Sequence, residues 1–175
     1  MIARLSAGLA ALCLLSAPAL AQGAAKPTDP QIANIAYTAG QLDIDAAKQA
    51  LEKTKNKEVR EFAQDMVRDH IEVNKQALAL VTKLKVQPED NDTSRALTKQ
   101  AAAKRDELAK LDGAAFDKAY IANEVAYHKT VNGALESTLI PSANNAELKG
   151  LLQTGLKIFQ GHQQHAEHVA AAVTR

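Results

Sequence analysis

The chain has 175 residues, 46% of them hydrophobic and only 3% aromatic, with no tryptophan and a formal net charge of +1. Nearly balanced charge leaves no basic excess to neutralise phosphates, which excludes nucleic acid and argues against an anionic membrane surface as partner. So few aromatic rings also leave little on which bases or sugars could stack.

Residues 1–21 carry the three parts of a secretory signal peptide. Arg4 supplies the basic start, residues 9–15 an apolar stretch, and Ala19-Leu20-Ala21 the small-x-small pattern that signal peptidase cuts after. The apolar stretch is too short to span a bilayer permanently. Cleavage before Gln22 is expected, followed by a flexible segment over 22–28 and one helical domain over 29–175. Removing 21 residues, Arg4 among them, leaves 154 with 20 basic and 20 acidic side chains. The only cysteine, Cys13, goes too. The mature chain is then incapable of disulfides, zinc-thiolate sites or cysteine nucleophiles. Leu12 before Cys13 also lacks the small side chain that a lipoprotein site requires. The expected compartment is the periplasm, with no transmembrane anchor after cleavage. Self-association and an envelope protein partner both stay open.

Beyond Ala21 the chain reads as helix throughout, rich in Ala, Leu, Lys, Gln and Glu and without strand or hairpin signals. Asp29-Pro30 predicts the first N-terminus, with Asp29 as N-cap and Pro30 in the first turn. Ile32, Ile35, Ala36, Ala39, Leu42, Ala46 and Ala50 keep helical spacing to about Lys53. Asn56 caps a second helix to about Lys85, its inner face Val59, Phe62, Ala63, Met66, His70, Val73, Ala77, Leu80 and Leu84. A polar break at 87–92 leads to a more polar helix over about 93–111, read as a crossover. Gly113 interrupts, and a third core helix over 114–139 presents Phe116, Tyr120, Ile121, Val125, His128, Asn132 and Leu135. Pro141 and Asn144-Asn145 mark the last turn. A fourth core helix over 146–173 is expected to bury Leu148, Leu152, Gly155, Phe159, His162, Ala166, Val169 and Val173. Two long helices, a connector and two more long helices predict an all-α, ferritin-like four-helix bundle with a helical crossover between core helices two and three.

His70, His128 and His162 each fall on the apolar face of a different helix. Counting helical rise from the turns places Asp43, His70, Glu124, His128 and His162 within about one turn, roughly 5 Å, of a common depth. Imidazole nitrogens with carboxylate oxygens suit zinc, iron, manganese, copper or nickel, so one transition-metal ion is a candidate cofactor. A bridged di-iron centre is disfavoured because the chain lacks the Glu-x-x-His pairs such sites use. The competing reading is a hydrogen-bonded polar layer in which Asn74, Tyr120 and Asn132, with Asn123 and Tyr127, satisfy the rings. Asp69 adjoins His70 and is expected to point elsewhere. His165 is expected to share an edge with His162, and His168 to face solvent. No serine elbow or glycine-rich phosphate loop is present, and no catalytic residue is identified.

The segments Phe62-Ala63-Gln64-Asp65-Met66-Val67-Arg68-Asp69-His70 and Phe116-Asp117-Lys118-Ala119-Tyr120-Ile121, with His128 and His162, resemble the bacterial domain-of-unknown-function family 4142. The likeness covers about 29–173. It implies an exported, ferritin-like protein without established activity, often labelled an outer-membrane protein. It places His70, His128 and His162 on the family's characteristic histidines. Asp43 stands where many members carry Glu. Ile158-Phe159 stands where members often have Pro, implying a straighter last helix. The outer-membrane label conflicts with a composition that shows neither a spanning helix nor a barrel pattern. Three functions follow as expectations: a non-enzymatic periplasmic bundle concerned with the envelope or stress, a metal-binding or metal-dependent redox protein, and an apolar-ligand carrier.

Overall fold

The computed structural model describes residues 26–174. The expected signal peptide and its expected cleavage site lie outside the described residues. The elements are α1 (Asp29–Lys53), α2 (Lys57–Leu84), α3 (Asp92–Ala109), α4 (Gly113–Ala134), a π-helix (Leu135–Leu139), α5 (Ile140–Ser142) and α6 (Ala146–Val173).

Short polar side chains set most of the helix starts. The Asn56 side chain accepts from the N–H groups of Glu58 and Val59, and Asn145 from those of Glu147 and Leu148. Asn91 accepts from the Ser94 N–H at 3.0 Å. Each satisfies donors that the first helical turn leaves free. The start of α1 differs from expectation. Thr28 is the N-cap, its N–H donating to Gln31 Oε1 at 3.1 Å, so the end of the segment expected to be flexible is tied to the helix. Asp29 works at long range instead. Its carboxylate accepts from the backbone N–H groups of Asn144 and Asn145 at 2.8 and 2.9 Å, fastening α1 to the turn before α6.

Contacts along the crossover fix the topology. Near its start the Glu89 N–H donates to Pro30 O, and Asn91 Nδ2 to Gln31 O, at the first turn of α1. At its end Lys53 Nζ donates to Ala109 O at 2.9 Å and pairs with Asp112 at 2.9 Å, at the last turn of α1. Thus α3 runs parallel to α1, and α4 must run parallel to α2. Gly113 takes φ 55, a left-handed backbone that glycine adopts without strain, to start α4. The principal pairs are α1 on α2 and α4 on α6, with α2 on α6 and α1 on α4 completing the ring. The result is the expected ferritin-like bundle, with α3 lying outside against α1.

The two ends of the bundle are packed differently. At the Lys53 end Phe62, Met66, Phe116, Tyr120 and Ile121 are fully buried together. Each buried side chain of this size contributes about 1.5–3 kcal/mol relative to exposure. At the Asp29 end Ile32, Ile35, Leu135, Leu139, Leu148 and Leu152 form a second cluster. Here α2 departs from the expected inner face. Beyond Asn74 it buries no side chain fully; Val73, Ala77, Leu80 and Leu84 are half-buried, and Leu78 is 47% exposed.

The third core helix also differs from the continuous α-helix expected. It opens into a π turn, with the Ile140 N–H reaching back to Leu135 O. In a regular α-turn the ring of Pro141 would collide with the Ser137 carbonyl; the wider turn relieves this. Among the described residues no helix is long and apolar enough to cross a membrane.

Candidate metal centre

Between the two apolar clusters lies a layer of buried polar side chains drawn from all four core helices. Asp43 comes from α1, His70 from α2, Glu124 and His128 from α4 and His162 from α6, each no more than 6% exposed. Helical periodicity explains their meeting. His70 follows Met66 by one turn on the buried stripe of α2, and Glu124 and His128 are one turn apart on that of α4.

One nitrogen from each of His70, His128 and His162 lies within 4.8 Å of those of the other two. Ring centroids are 5.8 Å apart for His70–His128, 5.2 Å for His70–His162 and 5.4 Å for His128–His162. Nitrogens around an ion at about 2.0–2.1 Å can stand at most about 4 Å apart, so small side-chain rotations would close the set. Asp43 joins from α1: its Oδ2 is 2.7 Å from His70 Nε2 and 3.3 Å from His128 Nε2. Neither approach is aligned as a hydrogen bond, and both oxygens of Asp43 are buried without a partner.

Two of the rings have their orientation set from outside the layer. His128 Nδ1 lies 3.0 Å from the Glu124 carbonyl oxygen, an acceptor, so Nδ1 carries the proton. That leaves the lone pair on Nε2, which is buried and unpartnered. His162 Nε2 lies 3.0 Å from Asp69 Oδ2 and donates to it. Its inward Nδ1 is then the free acceptor, also buried and unpartnered. A carboxylate or carbonyl on the far nitrogen is the arrangement that orients metal-ligating histidines. Phe159 holds the third ring, stacking on His70 at 4.6 Å with 7° between the planes.

Burial shapes the protonation of the layer. It pushes His128 down, with the His70 ring adding to the effect and Asp43 opposing it. It pushes His162 down to about 4, against the Asp69 hydrogen bond and with help from His70 and His128. Both rings are therefore neutral at pH 7, the form that binds metals. Asp43 and Glu124 go opposite ways. Burial pushes Asp43 up, but His70, His128 and Glu124 outweigh it and hold the carboxyl at about 2. Burial and the Asp43 charge push Glu124 well above the carboxylate range, so it keeps its proton. A second close group, Asp43, Glu124 and His128, thus shares His128 with the three-imidazole group.

None of the residues expected to satisfy the rings hydrogen-bonds to an imidazole. Asn74 Nδ2 donates to Tyr37 O, and Asn132 Nδ2 to Phe159 O and Gln163 Oε1. Tyr127 donates to Ala39 O, and the Tyr120 hydroxyl is buried without a partner. Asn123 makes no hydrogen bond to an imidazole. Asp69, expected to point elsewhere, is the partner of His162, and Arg68 clasps it at 2.7 Å. One residue turns the helix by 100°, which carries Asp69 off the central stripe and towards α6. Reading neighbouring helices as well as the stripe would have found it. His165 sits edge-on to Phe62 at 5.2 Å and 3.8 Å from Asp65, apart from the three-imidazole group, and His168 is exposed.

The solved structures attest the fold. A Streptomyces coelicolor protein described as a secreted DUF305 protein matches with a TM-score of 0.70 at 13% identity, covering 82% of this chain and 92% of its own. CopM in a Cu(II)-bound form matches with a TM-score of 0.65 at 18% identity, covering 83% of this chain and 98% of its own. No curated protein matches. The model of the domain of unknown function DUF4142 matches residues 14–169, so the chain belongs to that family.

Proposed function

We infer that the protein is an exported helical bundle that holds one transition-metal ion in its central layer. His70, His128 and His162 supply nitrogens and Asp43 an oxygen, with Glu124 beside them as a reserve donor. The observation that carries this reading is the set of buried atoms without a hydrogen bond in one layer: His128 Nε2, His162 Nδ1 and both oxygens of Asp43. Buried polar atoms are nearly always satisfied, and an imidazole nitrogen left without a partner carries a desolvation cost. A cation in their midst removes that cost for all of them together.

The donor set is N3O, and imidazole-rich sites favour copper at the top of the divalent affinity order. The Cu(II) carried by the structural neighbour CopM makes copper the first ion to test. The role is capture of the ion, and export places that capture in the periplasm. Binding would discharge the Glu124 proton, because cation and proton compete for one cluster of charge.

The competing reading, a structural polar layer, draws on the 2.7 Å approach of His70 to Asp43. Calorimetric titration of the untagged protein with Cu(II) and Zn(II), in buffers of differing ionisation enthalpy, separates the two. The metal reading expects one ion per chain with proton release, abolished by His128→Ala and weakened by Asp43→Ala. A polar layer expects no saturable binding, or binding unchanged in both variants.

A further inference from the structure

The half-buried face of α2 has a counterpart inside the bundle. A cavity of about 960 Å³ runs from Thr28 and Asn91, at the Asp29 end, inward to His70 and His128. Interiors normally close to near-crystalline density, with few voids larger than a water molecule, so a space this size is not a packing defect. Small side chains are among its lining: Ala36 and Gly40 from α1, Ala77 from α2 and Gly155 from α6. The π turn of Leu135–Leu139 supplies part of the opposite wall. Along α1 the space extends from Thr28 to Gly40, about 18 Å at helical rise. It lies at the upper end of the roughly 300–1,000 Å³ range of small-molecule sites.

The lining changes character along its length. The mouth is polar, with Lys26, Thr28, Asn91 and Ser142 around it. The middle is aliphatic, with Val73, Leu135 and Leu152. The inner end closes on Phe159 and the flat imidazole that stacks on it. A polar rim over a long aliphatic barrel matches an amphiphile with one extended chain, head outward beside Lys26 and chain inward. A compact polar ligand would leave the aliphatic middle unfilled.

We propose that this cavity binds a single long acyl chain, as in a free fatty acid, with the far end of the chain approaching His70 and His128 of the metal layer. Apolar cavities take up apolar ligands readily because the walls gain contacts that water cannot supply. The test uses untagged protein expressed from the full gene, delipidated, and titrated with dansyl-labelled undecanoic acid. Saturable fluorescence, displaced by palmitate and not by butyrate, is expected. Ala77→Phe and Ala36→Phe, which fill the cavity from two different helices, should each weaken probe binding by about tenfold or more while Cu(II) stoichiometry stays that of the parent. Ala77→Leu, a smaller change on the same half-buried face, should give an intermediate loss and covers the case in which a Phe variant does not fold. Absence of saturable binding, displacement by butyrate as readily as by palmitate, or full binding in all folded variants overturns the proposal. Because Cu(II) is measured in the same samples, failure of the acyl site and failure of the metal site are read independently.

Discussion

At the scale of single residues, the centre depends on which nitrogen of each imidazole carries a proton. Asp69 fixes that for His162. Asp69→Asn keeps the shape but removes the charge-assisted acceptor. It should lower metal affinity by about 10- to 100-fold, read by competition with a chromophoric chelator, with little change in the stability of the metal-free protein. The same layer gives the metal-free protein a pH dependence. His162 has a folded value of about 4 against 6.5 for an ordinary histidine, so the unfolded chain binds the proton more readily. Its contribution is complete above pH 6.5 and declines as the pH falls towards 4, by up to about 3 kcal/mol. Urea unfolding across that interval should show the decline, and His162→Gln should flatten it. Asp43 adds stability that is present above its ordinary 3.8 and lost only as the pH falls towards about 2, outside that window. The meeting of His70, His128 and His162 was legible in the sequence because each lies on a 3.6-residue apolar stripe. The service of Asp69 was not, because a stripe describes the axis of the bundle and says little of sideways contacts between neighbouring helices.

At the scale of elements, helix ends show where local chemistry suffices and where tertiary contact overrides it. Asn56 and Asn145 cap their helices as short polar residues before apolar periodicity should. Asp29 has the same local signal yet is drawn off to the N–H groups of Asn144 and Asn145, more than a hundred residues away. Asp29→Ala should therefore cost about 1–2 kcal/mol and lower the melting temperature by a few degrees, visible by calorimetry. The loss should be felt first at the turn before α6, as faster amide exchange at Asn144 and Asn145. The π turn was hidden for a different reason. Five residues are too few for periodicity to distinguish α from π, and Pro141 alone gives only a probable break. The crossover was legible because a segment as long as α3 between two core helices cannot be a tight turn.

At the scale of the whole molecule, the layer of polar donors joins all four core helices between a dense end and a hollow one. An ion bound there ties those helices together and binds only the folded chain. Cu(II) at about a hundred times its dissociation constant should stabilise the protein by about 2.7 kcal/mol. Thermal unfolding should move upward accordingly, and the shift should vanish in His70→Ala. The alanine-rich helices made a cavity one expectation, but its place at the Asp29 end was not legible, because the α2 stripe has the same spacing whether its partners reach it or leave a space. The most direct measurement is the metal content of the untagged protein, purified without chelators and analysed by plasma mass spectrometry. The account predicts about one transition-metal ion per chain, lost in both His70→Ala and His128→Ala. Metal-free protein that takes up no Cu(II) or Zn(II) on dialysis, or metal retained equally by both variants, would contradict it.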